Sequence, residues 1–300
     1  MVSRKFGAIT KRILAAIVMI PIALEALYLG SPFVEVLAVV VGGLLAWEWA
    51  AMLSKPTTAS YYVTAYVISL SVSIWSANLA LPMMAIVAFF VWVIAYEEKH
   101  RKLLTLGVPY ISTGIGALVW MYLLFDPSEG NFDPRYNYSF MMVMWFFLIV
   151  WSMDIGGLVV GCNLRGPKLA PNISPNKTWS GLGGGILLAV SVSIIFMYIC
   201  VEVFDIPFYD FDKFRYISFS YKPLKIHHEW TVNSQLFYAI TAAIIAVLAQ
   251  IGDLVESAIK RIAGVKDSSK LIPGHGGVFD RVDGLIFAAP FVYMFFMYLL

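Results

Sequence analysis

Charge is what this 300-residue chain has least of: Asp, Glu, Lys and Arg make up 13% of it, against 60% hydrophobic residues. A soluble domain carries about twice that share of charge. The shortage excludes a disordered protein, which depends on charge for its solvation, and an ordinary cytosolic enzyme. Cysteine is scarce too, at two residues. Cys162 and Cys200 have no metal-ligand spacing and are too few for a disulfide scaffold, so both are expected to act as small buried hydrophobes. An excess of one sign is also missing: a net charge of +2 does not call for a nucleic-acid partner. What is present is a mean hydropathy of +0.79, which implies an all-α, polytopic integral membrane protein. No internal repeat or low-complexity linker divides it, so residues 1–300 are expected to form a single membrane domain, with 138–300 as the part carrying two polar inner loops.

A hydrocarbon core of about 30 Å takes about 20 apolar residues per helix. That ruler predicts about nine spans, at roughly 11–30, 33–53, 60–79, 81–97, 104–125, 138–160, 181–204, 235–255 and 284–300. The third and fourth are parted only by the stretch Asn78 to Pro82. The first begins on Arg4-Lys5 and Lys11-Arg12 like a signal peptide, but its long run, its Pro21 and the want of a cleavage site predict an uncleaved helix. An orientation with the N-terminus inside and the C-terminus outside leaves only Arg135, Lys213, Arg215, Lys222 and Lys225 on the outer side. The other bases then lie inside, as membrane proteins prefer. The outer loop 205–234 reads as a solvated connector. Glu25 and Glu35 reach the outer interface, and Glu48, between Trp47 and Trp49, falls near the inner aromatic belt; none is assigned a catalytic role.

The chemistry gathers in the last inner segment. Asp253, Glu256, Ser257, Lys260 and Arg261 are followed by Lys266-Asp267, by Pro273-Gly274-His275-Gly276-Gly277, and by Asp280-Arg281-Val282-Asp283. Asp280 and Asp283 stand three apart, so on a helix their carboxylates face one way. If the flanking helices pack side by side, Asp253 joins them, and three hard oxygen ligands suit Mg²⁺ with substrate phosphates. Lys260, Arg261, Lys266 and Arg281 can hold phosphate oxygens, while Gly274, Gly276 and Gly277 let backbone N–H groups come close. His275 is expected to be a plain hydrogen-bond donor. Taken singly, each base reads as solvated interfacial charge; aspartates grouped at membrane depth do not.

In the other inner loop, Asp154 sits deep in the sixth span and is a site candidate by its cost alone. Ser174-Pro175 and Lys177-Thr178 precede a helix and suit an anion at its start. The glycines of 181–185 are expected mostly to serve helix packing.

The run Ser257-x2-Lys260-Arg261-x4-Lys266-Asp267-x5-Pro273-Gly274-His275-Gly276-Gly277-x2-Asp280-Arg281-x-Asp283 resembles the signature of the phosphatidate cytidylyltransferases. Asp154, Lys168-Leu169, Ile173-Ser174-Pro175 and Lys177-Thr178-Trp179 resemble that family's second motif, with departures at Leu158, Asn176 and Ser180. The resemblance implies transfer of CMP from CTP to phosphatidic acid at the inner face of a membrane, giving CDP-diacylglycerol and pyrophosphate. It implies a two-metal centre, Mg²⁺ with K⁺ as its partner, and a homodimer. It places the metal at Asp253, Asp280 and Asp283, and Lys266-Asp267 with the Gly-His-Gly-Gly turn at the nucleotide end. Lys266, Asp267, Asp280 and Asp283 are thus the candidate catalytic residues. Ser257, Lys260, Arg261, Arg281, Ser174, Lys177, Thr178 and Asp154 are candidates for binding. Two alternatives within the enzyme class are a CTP-dependent polyprenol-type lipid kinase and a CDP-archaeol-type synthase. A cation-coupled transporter would instead place acids near mid-bilayer in repeated halves.

Overall fold

The computed structural model describes residues 20–124, 137–204, 232–272 and 276–299. The start of the first expected span, nearly all of the outer loop with its Lys and Arg residues, and Gly274 and His275 lie outside the described residues. Helices α1 (Ile20–Leu29) and α2 (Phe33–Leu53) come first. They are followed by α3 (Ala59–Trp75), α4 (Ala77–Ile94) and α5 (Arg101–Leu124). Then come α6 (Tyr138–Leu164), α7 (Trp179–Tyr198), α8 (Val232–Ala263) and α9 (Phe279–Leu299). Seven of the described helices are long and apolar enough to cross a membrane.

The differences from expectation have local causes. The α3–α4 break falls at Ser76, which is extended, while Pro82 lies inside α4 near its start. As the sixth residue of α4, Pro82 has no N–H to give to Asn78 O, so it removes one bond of the helix without ending it. Helix α8 runs on through Arg261 instead of ending near 255, so at 32 residues it is about 48 Å long and overreaches a bilayer core. It stops at Gly264, whose φ of +75° supplies the left-handed turn of a helix end, with Val265 N donating to Lys260 O at 2.9 Å. The loop expected at 161–180 contains a short antiparallel hairpin, β1 (Lys168–Ala170) with β2 (Ser174–Thr178), Lys168 facing Thr178. Cys200 is buried as expected, but Cys162 is exposed on α6. On a membrane helix an exposed thiol faces no aqueous penalty for being apolar, so burial is not required of it.

By contact the chain forms two compact units. The first joins Met1–Leu123 with Gly252–Tyr293. Its core holds Trp49, Tyr62, Tyr66, Leu70, Leu104 and Phe279. Trp49 stacks on Tyr110 at 5.4 Å and meets Phe279 edge-on at 5.6 Å. Polar groups inside this unit bond between helices, as they must where water is absent. Ser112 Oγ donates to Ser69 Oγ at 3.0 Å, and Trp120 Nε1 donates to Ser73 O at 3.0 Å.

The second unit comprises Leu124–Ile251 with Met294–Leu300. Here α6 and α7 approach through glycines. A Cβ on Gly156 would meet Gly184 O at 2.8 Å and Gly185 Cα at 2.9 Å, and one on Gly185 would strike Met153. Trp145 Nε1 donates to Ser193 Oγ at 2.8 Å, and Ser193 Oγ to Tyr238 O at 3.3 Å, tying α6, α7 and α8 together. Gly156→Leu is therefore expected to cost about 2–3 kcal/mol by overpacking. Thermal unfolding of the detergent-purified protein checks this; an unchanged midpoint would contradict the close α6–α7 approach.

Candidate active site

The C-terminal part of α8 carries Asp253, Glu256, Ser257 and Lys260 at spacings of three and four, which on a helix form one stripe. Asp280 and Asp283 repeat that spacing on the first turns of α9. The two helices come together at Gly252, where a Cβ would meet Phe287 Cβ at 2.7 Å and Asp283 O at 2.8 Å. No other residue fits at position 252, and this approach is what brings the two stripes face to face.

One ligand oxygen from each of Asp253, Glu256 and Asp283 lies within 4.8 Å of the others, with Glu256 buried and the two aspartates half-buried. At that separation two carboxylates repel by about 3 kcal/mol for an effective dielectric of about 20, so the trio needs positive charge. Lys260 supplies some of it: Nζ is 2.5 Å from Glu256 Oε2 and 2.6 Å from Asp280 Oδ1. Glu256 Oε1 is buried and accepts no hydrogen bond from any described residue. A buried carboxylate oxygen left without a partner is costly, and three converging oxygen donors suit a hard cation. The acidic cluster can therefore hold a metal ion.

Asp280 is placed differently from the other two expected ligands. Lys260 takes Oδ1 of Asp280, and Oδ2 accepts from Ser268 N at 3.1 Å and Gly277 N at 2.8 Å and lies 3.0 Å from Ser268 Oγ, whose one proton serves either this oxygen or Glu48 Oε2. Asp280 thereby ties the segment after α8 to the start of α9. Gly276, at φ +85°, sits so close that a Cβ would meet Asp280 Oδ2 at 2.5 Å. Ser257 Oγ lies 3.3 Å from Asp253 Oδ1, within the acidic cluster. Arg261, Lys266, Asp267 and Arg281 are exposed.

The residues expected from the first inner loop belong to the second unit. Asp154 is exposed on α6, while in β2 Ser174 and Lys177 are half-buried. Thr178 plays a structural part, because its Oγ1 accepts from Gly181 N at 3.1 Å and caps α7. Ser180, where the motif departs from the resemblance, donates its hydroxyl to Arg165 O.

The sequence profile of the Cytidylyltransferase family matches residues 10–299. The chain belongs to that family. Its relatives include a phosphatidate cytidylyltransferase of Haemophilus influenzae, 30% identical over 97% of this chain and 99% of the relative. One from Rickettsia bellii is 31% identical over 73% of this chain and 81% of the relative. One from Brucella suis is 39% identical over 53% of this chain and 47% of the relative.

Within this cytidylyltransferase, three kinds of residue join the site without being singled out by the sequence pattern. Glu256 does carry a signal, since it stands three residues after Asp253 on the same helix face. Ser268 and Ser269 carry none, because a serine in a polar loop is unremarkable. Glu48, expected at the aromatic belt with no role, is instead fully buried, at 0% exposure. It accepts hydrogen bonds from Ser268 Oγ, Ser269 Oγ, Val278 N and Phe279 N. Nothing local to residue 48 announces partners more than two hundred positions away.

Proposed function

We propose that this family member transfers CMP from CTP to phosphatidic acid, forming CDP-diacylglycerol and releasing pyrophosphate. The observation that carries the reading is the oxygen cluster of Asp253, Glu256 and Asp283, with one buried Glu256 oxygen unpartnered among the described residues, at the end of two apolar helices. A phosphate oxygen of phosphatidate attacks the α-phosphorus of CTP, the bond from that phosphorus to the α–β bridging oxygen breaks, and pyrophosphate departs with those electrons. The attacking phosphate is already largely ionised near neutral pH, so no strong general base is needed. The difficulty lies in bringing two anions together and stabilising charge on the α-phosphate and the leaving group.

Asp253, Glu256 and Asp283, beside Asp280, would hold Mg²⁺, with K⁺ as a second cation. When bound, such ions neutralise phosphate charge. The protein's own residues do the rest. Lys260 offsets the negative charge of Glu256 and Asp280 and fixes both. Lys266, Arg261 and Arg281 are placed on the exposed rim, where guanidinium and ammonium groups meet triphosphate oxygens. Lys266 and Asp267 serve the nucleotide end with residues 274–277. Asp154, Ser174 and Lys177 serve substrate binding, while Thr178 caps α7, and the active protein is a homodimer. The acyl tails stay in the bilayer, which is why a nucleotide-using enzyme needs apolar helices at all. The reaction faces the cytoplasmic side of a bacterial inner membrane, the side on which most of the bases lie in the N-terminus-inside orientation.

The test is purified protein in detergent with Mg²⁺, phosphatidate and CTP labelled in the α-phosphate. Label is expected in the lipid, with one pyrophosphate released per lipid formed. Label recovered only as soluble CDP would replace transfer by a CTP-dependent lipid kinase reaction.

A further inference from the structure

Glu48 belongs to α2, far in sequence from the acidic site, yet in the first unit it meets the site's scaffold directly. Its Oε2 accepts from Phe279 N at 2.7 Å and its Oε1 from Val278 N at 2.8 Å, so the carboxylate closes the N-terminus of α9. A carboxylate there also meets the positive end of the helix dipole. The same two oxygens accept from Ser269 Oγ at 2.6 Å and Ser268 Oγ at 3.0 Å. Ser268 Oγ also lies 3.0 Å from Asp280 Oδ2, so one hydroxyl stands between Glu48 and Asp280. Gly277 makes room for this junction, since a Cβ there would collide with both Ser268 Oγ and the Glu48 carboxylate. The neighbouring Trp49 packs on Phe279 and sends its indole N–H to Leu103 O at 3.1 Å, which fixes the direction from which Glu48 arrives.

We propose that Glu48 is a positioning residue for the transfer reaction, clamping the Ser268-Ser269 turn to the first turn of α9 so that Asp280 and Lys260 are held at the acidic cluster. This rests on the cytidylyl-transfer reading. The physical case is that the described partners of Asp280 Oδ2, Ser268 and Gly277, are loop groups, and the loop is held where it meets Glu48. Four hydrogen bonds to one fully buried carboxylate make a rigid joint. Ligand-orienting partners of this kind cost about 10- to 100-fold in activity when removed.

The variant that isolates the link is Ser268→Ala, which leaves Glu48 its bonds to Ser269, Val278 and Phe279. In detergent with Mg²⁺, CTP and phosphatidate it is expected to lower kcat about 10- to 100-fold, with KM for phosphatidate within about twofold and a melting midpoint close to the parent's. Glu48→Gln puts an amide donor against backbone donors and is expected to lose kcat similarly. The double variant should be no slower than the slower single one, because both changes break the same chain of bonds. Losses that multiply, or wild-type kcat in Ser268→Ala, would overturn the proposal, and Ser268→Ala decides alone should Glu48→Gln fail to fold. Amide exchange at Val278 and Phe279 reads the clamp without turnover: Glu48→Gln should accelerate it, and unchanged exchange would overturn the clamp. A wild-type protein inactive on CTP and phosphatidate would overturn the transfer reading instead.

Discussion

Asp283→Asn is expected to reduce cytidylyl transfer by about 10³-fold or more at saturating Mg²⁺, while the chain still folds and inserts. Asparagine keeps the shape of aspartate, and its Oδ1 can still accept the 2.8 Å bond that Asp283 Oδ1 takes from Gly284 N. What it loses is one negative charge from the trio within 4.8 Å. Removing a single electrostatic contact to a transferring group commonly costs 10²–10³-fold, and losing a charged one in phosphoryl transfer costs up to about 10⁵-fold. Steady-state rates across a Mg²⁺ titration check it. The affinity for the metal should fall together with kcat, and near-normal turnover at any Mg²⁺ concentration would remove Asp283 from the site.

Lys260→Met should act first on stability. Lys260 is 11% exposed in its side chain, against 1% for Glu256 and 8% for Asp280, and it pairs with both acids. Methionine preserves most of the stem, so packing changes little while the charge disappears. Two buried carboxylates beside the Asp253 and Asp283 pair would then lack their cation, and stranding one partner of a buried pair costs about 3–5 kcal/mol. A clear fall in melting midpoint is expected. Because the cost is uncompensated negative charge, Mg²⁺ should restore part of the loss and should raise the midpoint more in Lys260→Met than in the parent. A variant as stable as the parent, or one indifferent to Mg²⁺, would contradict the view that Lys260 balances the cluster.

The two changes separate what is legible in the residues from what is not. The pairing of Asp280 with Asp283 follows from spacing alone, and both do lie at the start of one helix. Spacing cannot tell that only one of them joins Asp253. That depends on Gly252 letting α8 approach α9 at Asp283, and on Lys260 and Ser268 drawing Asp280 toward the loop. Glu256 follows the same rule of three, but its neighbour Lys260 makes it look like half of a surface ion pair. Thr178 shows the opposite case. A hydroxyl before a helix suits a phosphate, yet its Oγ1 is taken by Gly181 N.

Apolar content and the scarcity of charge determined that this chain is a helical membrane protein, since a bilayer accepts almost nothing else with 60% hydrophobic and 13% charged residues. The polar motif determined its family, since hydrogen-bonding and ligand geometry leave a pattern in residue type and spacing. Only the tertiary structure decided which acids converge and what holds them. Those outcomes rest on helix approach at a glycine and on a buried glutamate from the other end of the chain. The glutamate's contacts join positions more than two hundred residues apart, and no local propensity or periodicity records them.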